Sequence, residues 1–180
     1  MKTIIFIPII ILMSYNTNYK IDFGQTTGGQ DWMIVNDGVM GGLSKSTAIF
    51  TNNSLLFKGT LSLKNNGGFA SIRSAKGNYD LSNYNTVKIR FRSTGRDFAL
   101  RFANSEMYFR PNFKHNFSSS TGEWEIVELK MSDFKEYTMG QISSSTISKN
   151  KLENIIRIGI ILSDKKEGPF ELEIDYIAFN

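Results

Sequence analysis

The residues best suited to recognising another molecule lie in a glycine-rich segment, residues 31–46. Three glycines occur within five positions there, and Met40 lies between them. Glycine lets the backbone adopt positive φ angles or approach another group closely, whereas an apolar methionine is unusual in a solvated loop. The segment therefore either binds a partner through Asp37 and Met40, or closes one end of the fold with Trp32 and Met40 while Asp37 caps a turn.

A second loop adds to this predicted binding site. Residues 64–68 are rich in Asn and Gly, which tolerate positive φ angles, and Arg73 follows shortly after them. The predicted binding residues of the two loops are Asp37, Met40, Gly41, Gly42, Asn66 and Arg73. The phosphate-loop and dinucleotide-binding glycine spacings are absent from the glycine-rich segment, so it predicts no nucleotide cofactor.

Residues 101–115 combine aromatic and basic side chains and suggest a different ligand. A sugar site needs an exposed aromatic platform flanked by polar groups, which Arg101, Tyr108 and Arg110 would supply. The alternative is that the aromatic side chains are packed in the core. A related question concerns the arginines at 90, 92, 101 and 110, which form either one anion-binding face or a solvated surface, depending on strand register.

The cysteine and histidine counts exclude much catalytic and metal-binding chemistry. The chain has no Cys and a single His, His115, which excludes thiolate zinc sites, cysteine nucleophiles and multi-histidine metal sites. Glu171, Glu173 and Asp175 recur at the period of a solvated strand face, and no serine has a nucleophile-elbow context. We therefore expect no enzyme, no bound metal and no cofactor, and leave a structural calcium ion open.

The N-terminus has the residue order of a targeting segment. Lys2 precedes an apolar run over residues 4–13, and polar residues follow at 14–17. A secretory signal has this order, and the run is shorter than the roughly 20 apolar residues of a membrane span. We expect residues 1–18 to be a signal peptide or an uncleaved anchor, and residues 19–180 to form one domain exported to the periplasm, the cell surface or the extracellular space.

Beyond this segment, apolar residues alternate with polar ones. Residues 87–92, 98–102, 156–162 and 170–176 each show the two-residue period of a strand. Turn residues at 51–54 and 64–68 predict hairpins, and helix is expected only as short turns near 131–134 or 150–153. The pattern predicts an all-β jelly-roll sandwich of about nine strands. The formal net charge of +4 is spread among acidic residues, so we expect no nucleic-acid partner.

The chain resembles the complex I intermediate-associated protein 30 family. The resemblance rests on Trp32, residues 37–42 (DGVMGG), Ser44, residues 56–59 (LFKG), residues 65–71 (NNGGFAS), Arg73, residues 122–124 (GEW), residues 158–160 (IGI) and residues 168–170 (GPF). It implies a galactose-binding-like β-sandwich acting as a non-catalytic, chaperone-like protein-binding module, whose partner is a membrane-protein assembly intermediate. Many carbohydrate-binding modules have the same sandwich, so an exported carbohydrate-binding module is the alternative.

Overall fold

The computed structural model describes residues 19–24, 28–119 and 121–180. The predicted signal peptide or anchor at residues 1–18 lies outside the described residues. The strands are β1 Tyr19–Asp22, β2 Met33–Asn36, β3 Lys45–Phe50, β4 Leu55–Leu61, β5 Ala70–Arg73, β6 Thr86–Ser93, β7 Asp97–Ala103, β8 Asn112–Ser118, β9 Glu125–Lys130, β10 Lys135–Thr138, β11 Gln141–Thr146, β12 Arg157–Leu162 and β13 Gly168–Phe179. Helix within these ranges consists of α1 Lys149–Leu152 and 3-10 turns at Asp37–Met40, Lys64–Asn66 and Met131–Asp133.

The strands form two antiparallel sheets packed face to face. One sheet has the order β3-β4-β13-β6-β9, with β1 paired to β13, and the other has the order β11-β10-β8-β7-β12-β5-β2. Alternating side chains from both inner faces fill one core, in which Phe57, Phe91, Phe102 and Phe179 have no exposed surface. The predicted all-β jelly-roll sandwich is confirmed, because the two-residue period places one apolar row of each strand in this core. The described residues form thirteen strands and not the predicted nine or so.

One of the two predicted hairpins forms and the other does not. Residues 51–54 join β3 to β4 as a hairpin closed by a 2.8 Å hydrogen bond from the Thr51 N–H to the Ser54 carbonyl. Residues 64–68 instead carry the chain from β4 in one sheet to β5 in the other. The hairpin predicted there is wrong, because Asn and Gly specify a sharp bend but not which strands pair beyond it. Short helical turns occur near both predicted places, at Met131–Asp133 and Lys149–Leu152.

Strand register separates the arginines that might have shared one face. Arg90 and Arg92 lie on β6 in the six-stranded sheet, where they form ion pairs with Asp175 and Glu173 across β13. Arg101 lies on β7 in the other sheet. A single anion-binding face built from all four arginines is therefore excluded.

The strand β12 is central to the seven-stranded sheet and determines the shape of its outer face. It pairs with β7 on one side and β5 on the other, and five of its six residues are buried. Ile158 and Ile160 point into the core, so Gly159 between them faces outward. The lack of a side chain at Gly159 leaves a depression in the middle of this outer face.

Candidate functional site

The outer face of the seven-stranded sheet carries a groove with a volume of about 580 Å³. Its floor is formed by residues of β5, β12, β7 and β8, and Val35 of β2 lies at its edge. One wall is the glycine-rich loop with Val39 and Met40, and the other is the β7–β8 connection with Met107 and Tyr108. This volume is in the range of small-ligand sites and accommodates a few side chains, not a folded domain.

A row of basic side chains crosses this outer face of the sheet, and two of its members, Arg73 and Arg101, line the groove. Arg73 on β5 and Arg101 on β7 both pair with Gly159, one on each side of β12. Arg101 in turn pairs with Lys114 on β8. Directly paired residues on antiparallel strands point to the same face, so Arg73, Arg101 and Lys114, named here the basic floor, form one row with a gap at Gly159.

The gap at Gly159 is enforced by close packing. A Cβ atom there would lie 2.8 Å from the Ile72 carbonyl oxygen and 3.0 Å from the Cβ of Arg73. Both distances are too short for ordinary carbon contacts, so a larger residue would displace Arg73 or the neighbouring strand. The open space between the two arginines is thus a property of the sheet itself.

The basic floor carries charge that the described residues do not neutralise by hydrogen bonding. The Nε atoms of Arg73 and Arg101 are buried without a hydrogen-bond partner, and neither guanidinium forms an ion pair in the described part of the chain. Burial, with the charge of Arg73 added, lowers the pKa of Arg101. Burial also lowers the pKa of Lys114 to about 8, with further contributions from Arg101 and Lys165. These groups repel one another and are partly removed from water.

A fourth basic side chain at the groove is neutralised. Arg157 donates to Glu106 at 2.7 Å and to the Ser74 carbonyl at 2.9 Å. Glu106 also accepts from Lys76 at 2.9 Å. Hydrogen bonds from Arg157 and Lys76 lower the pKa of Glu106 to about 2. Glu106 therefore stays ionised near neutral pH and balances the charge at one end of the groove, away from Lys114.

The walls of the groove are apolar and exposed. The exposed fractions are 74% for Val39, 66% for Met40, 57% for Met107 and 71% for Tyr108. Methionine has a flexible and polarizable side chain that adapts to different apolar partners. Apolar side chains concentrated on both sides of one depression are typical of a binding surface.

The wall formed by the glycine-rich loop is held in place by Asp37. This side chain is 1% exposed and accepts four hydrogen bonds. The Ser44 N–H and hydroxyl donate at 2.9 and 2.5 Å, and the N–H groups of Gly68 and Phe69 donate at 2.6 and 3.2 Å. Burial alone would raise the pKa of Asp37, but the hydrogen bonds from Ser44, Gly68 and Phe69 outweigh it and keep the pKa below its ordinary value. Asp37 and these three donor residues are called the Asp37 cluster below.

The glycines of the two loops allow the Asp37 cluster to form. A Cβ on Gly42 would lie 2.4 Å from Cγ of Asp37, and a Cβ on Gly67 would lie 2.7 Å from its Oδ2. Gly41 ends the 3-10 turn with a φ of 87°, a left-handed conformation that glycine adopts without strain. The glycines that the sequence places in two separate loops therefore pack around one carboxylate.

The structure brings some predicted site residues together and separates others. Those lining the groove are Met40, Arg73, Arg101, Tyr108 and Arg110. Asp37 lies behind the wall in the Asp37 cluster, and Gly42 packs against it. Gly41 is exposed nearby, and Asn66 is exposed on the second loop and does not line the groove. The residues predicted for protein binding and for sugar binding thus meet at one groove, and their roles in binding stay predictions.

Sequence reasoning missed Lys114, Arg157 and Gly159. Lys114 and Arg157 lie on strands whose outward residues show no special pattern. Gly159 carried a usable signal, because an isolated glycine inside an apolar strand indicates a close approach at that position. The expected single exposed platform of aromatic rings is also reduced to Tyr108 and Phe109, since Phe113 is buried in the core.

Solved structures with the same architecture include carbohydrate-binding modules. A family 11 carbohydrate-binding module from Clostridium thermocellum, in complex with a β-1,3-1,4-mixed-linked tetrasaccharide, superposes with a TM-score of 0.65 at 18% identity over 90% of this chain and 94% of that module. A family 29 carbohydrate-binding module gives a TM-score of 0.53 at 12% identity, covering 91% of both chains. At these identities the likeness establishes the galactose-binding-like jelly-roll fold and not the ligand.

Similar curated proteins are named complex I intermediate-associated protein 30. The Mus musculus protein is 29% identical over 168 residues, covering 82% of this chain and 51% of that protein. The Drosophila melanogaster protein is 25% identical over 196 residues, covering 95% of this chain and 65% of that protein. The chain therefore spans about half to two thirds of the length of these relatives.

The names of these relatives correct the predicted location. Both are named as mitochondrial proteins, as is a Caenorhabditis briggsae relative. The prediction of an exported protein in the periplasm, at the cell surface or outside the cell is therefore wrong. The order of charged, apolar and polar residues in a short segment records hydrophobicity, which is too little to assign one targeting route. Among the described residues, no helix is both long enough and apolar enough to cross a bilayer.

The family itself is established by the match along the chain. The complex I intermediate-associated protein 30 family matches residues 21–174, which include both walls and the floor of the groove. This range also includes the Asp37 cluster, formed by the two loops on which the sequence resemblance largely rests. The chain belongs to the complex I intermediate-associated protein 30 family.

Proposed function

We propose that this protein is a non-catalytic binding module that holds a segment of a partner protein in the groove, in the manner of a chaperone-like assembly factor. The observation that supports this most directly is the combination of two exposed apolar walls with a floor of half-buried arginines that form no ion pair within the described residues. Such a surface is costly in a free protein, and a bound partner that covers the walls and supplies negative charge offsets that cost.

The groove favours binding over catalysis. Its carboxylate, Glu106, is bonded to Arg157 and Lys76, and its pKa of about 2 makes it a poor base near neutral pH. His115 does not line the groove, and its ring packs 5.5 Å from that of Phe134. Neither residue is placed to act on a ligand held over the basic floor.

The proposed partner class follows from the family. The relatives are named for their association with an intermediate of complex I. We assign the same kind of partner to this chain, namely a membrane-protein assembly intermediate of complex I. Since the chain matches only part of each relative, the groove is the portion of that activity that this domain would contribute.

Site-specific photo-crosslinking tests this function. A photoreactive residue would replace Met107 in the wall of the groove or, as a matched control, the exposed Thr47 on β3 in the other sheet. In membranes that contain complex I intermediates, we expect crosslinks to a complex I subunit from position 107 and none from position 47. Equal crosslinking from both positions, or the absence of any complex I subunit from the products, would reject the proposal.

One observation favours sugar binding as a second candidate. Tyr108 and Phe109 are 71% and 48% exposed, and their rings pack edge to face with centroids 5.6 Å apart. The guanidinium of Arg110 lies 5.9 Å from the Phe109 ring, so an aromatic face and polar donors are close together. We expect Tyr108→Ala or Arg110→Ala to abolish retention on a polysaccharide. Failure of the unmodified protein to bind any member of a broad glycan panel would exclude this candidate.

A further inference from the structure

Arg73 and Arg101 of the basic floor are half-buried with fully buried Nε atoms, and they differ from Arg96 and Arg157 in forming no ion pair within the described residues. Arg96 is also buried, but it forms two hydrogen bonds to Asp164 at 2.7 and 2.8 Å and one to the Pro169 carbonyl at 2.7 Å. Arg157 is paired with Glu106. Neither Arg73 nor Arg101 forms an ion pair within the described residues, although the charge of Glu106 acts on Arg73, and partial burial of an unpaired charge is unfavourable. Arginines that only stabilise the fold would be expected to pair with a carboxylate, as Arg96 does with Asp164.

The geometry of the floor suits a carboxylate. Neighbouring strands lie about 4.8 Å apart, so Arg73 and Arg101 are separated by roughly 10 Å at the backbone with only Gly159 between them. Long guanidinium side chains can reach a ligand in this gap from both sides. Lys114 is paired with Arg101 and adds positive charge next to the groove, with its ammonium over the Tyr137 ring. Guanidinium groups bind carboxylates through paired hydrogen bonds, and within the described residues no hydrogen bond occupies the terminal nitrogens of Arg73 or Arg101.

We propose that the basic floor is a carboxylate-binding site that holds an acidic side chain of an extended partner segment, while apolar side chains of the same segment contact the two walls. The proposal rests on the protein-binding function proposed above and names the chemistry that the partner must carry. The segment would present Asp or Glu to the gap above Gly159 and aliphatic residues to Met40 and Met107.

The walls favour a peptide over an acidic polysaccharide. Val39, Met40 and Met107 offer flexible aliphatic surface, which contacts apolar side chains well. Sugar rings stack on aromatic faces, and Tyr108 is the aromatic side chain among the residues that line the walls at 39–40 and 107–108. The charge of the floor and the aliphatic walls together match an acidic segment with apolar neighbours.

Nuclear magnetic resonance of the arginine Nε–H groups tests the site directly. The probe is a short labelled peptide in which glutamate is flanked by leucine and valine, and the matched control peptide carries glutamine instead. We expect the glutamate peptide to shift the Nε–H signals of Arg73 and Arg101 and to leave that of Arg92 unchanged, because Arg92 Nε already donates to Glu173 at 2.6 Å on the other sheet. The glutamine peptide should bind at least ~10-fold more weakly, the usual effect of losing a charged hydrogen bond.

Two variants distinguish binding at the basic floor from a general effect of surface charge. Arg101→Gln should weaken binding of the glutamate peptide at least ~10-fold, whereas Arg92→Gln removes the same charge from the other sheet and should leave binding unchanged. Equal binding of the glutamate and glutamine peptides, or no effect of Arg101→Gln, would overturn the carboxylate site. Binding of polygalacturonate in place of the peptide would overturn the assignment of a peptide.

Failure of this site is distinguishable from failure of the proposed function. If position 107 still crosslinks a complex I subunit in an Arg101→Gln background while the glutamate peptide does not bind, the carboxylate site is wrong and protein binding stands. If the peptide binds and shifts the arginine signals but position 107 yields no complex I subunit, the carboxylate site stands and the assigned partner is wrong.

Discussion

Two buried charged regions lie close to the same groove and are organised in opposite ways. In the Asp37 cluster, one carboxylate accepts four hydrogen bonds from Ser44, Gly68 and Phe69. In the basic floor, Arg73 and Arg101 have buried Nε atoms with no hydrogen-bond partner. In the first region every one of these donors is paired with the carboxylate. In the second region the arginine Nε–H groups have no acceptor among the described residues.

The difference separates structural roles from ligand-binding roles. Buried polar groups in folded proteins are normally hydrogen-bonded, so a fully bonded carboxylate is what stability requires. Unpaired buried charges reduce stability, and they are retained where a bound ligand supplies the missing hydrogen bonds and opposite charge. We therefore interpret the Asp37 cluster as the support that positions the wall with Val39 and Met40, and the basic floor as the part that contacts the ligand.

The largest effect is expected from removing the carboxylate of the Asp37 cluster. Asp37→Ala removes the acceptor of four hydrogen bonds, three of them buried, so the free energy of unfolding should fall by roughly 3 kcal/mol or more. Urea denaturation measures this loss. Met40→Ala, three residues away and 66% exposed, should change stability by less than ~0.5 kcal/mol while weakening partner binding. A small loss of stability in Asp37→Ala would contradict the structural role assigned to the Asp37 cluster.

The second-largest loss of stability is expected at Gly42, which packs against Asp37. Gly42→Ala places a Cβ 2.4 Å from Cγ of Asp37, so the loop must shift and stability should fall by about 1–3 kcal/mol. Gly38→Ala is the matched control, because a Cβ there meets no atom within 4 Å. Thermal unfolding of both variants checks this. Similar losses at the two positions would mean that general loop flexibility, and not the Asp37 cluster, is responsible.

A much smaller effect on stability is expected in the basic floor. Arg101→Met removes a buried guanidinium that has no hydrogen-bond partner at Nε and that repels Arg73, so the free energy of unfolding should rise or change by less than ~1 kcal/mol. Arg96→Met is the control, and it should lose about 3 kcal/mol because Asp164 is left unpaired. A loss of similar size at Arg101 would assign the basic floor a structural role.

The smallest effect is a pH dependence of ligand binding. Burial, with Arg101 and Lys165 nearby, lowers the pKa of Lys114 to about 8, while Lys135 pairs with it on β10 and the Tyr137 ring lies 3.8 Å from its Nζ. Lys114 is charged below this pH and neutral above it, so affinity for the glutamate peptide should fall by less than ~10-fold as pH rises through about 8. Lys114→Gln should remove this dependence, and an unchanged profile in that variant would exclude Lys114 as its source.

The stability of the free protein should change with pH in the direction opposite to ligand affinity. Lysine has an ordinary pKa of 10.5 when unfolded, so between about 8 and 10.5 the unfolded chain binds more protons than the folded one. The contribution of Lys114 to the free energy of unfolding therefore increases with pH over this window. Ligand binding and folding thus respond differently to the same group, as expected for a charge retained for recognition.

Sequence reasoning identified five of the residues that line the groove, and their roles in binding stay predictions. Met40 and Arg73 were predicted as binding residues, and both line the groove. Asp37 was predicted alongside them, but its carboxylate faces backbone donors from the second loop. A loop sequence shows that glycine and a carboxylate are present. Two of the four donors to that carboxylate come from Gly68 and Phe69, 31 and 32 positions away, and depend on how the chain crosses between the sheets.

The sequence by itself determined the jelly-roll sandwich and the family, because the two-residue period and the order of the glycine motifs are local properties of the chain. Only the tertiary structure decided which basic residues share a face. Arg73, Arg101 and Lys114 come from three separate strands, and they align because β5 and β7 both pair with Gly159 and β8 pairs with β7. Since a shift of one residue in register reverses the face of every side chain on a strand, this alignment depends on strand pairing and not on any local pattern.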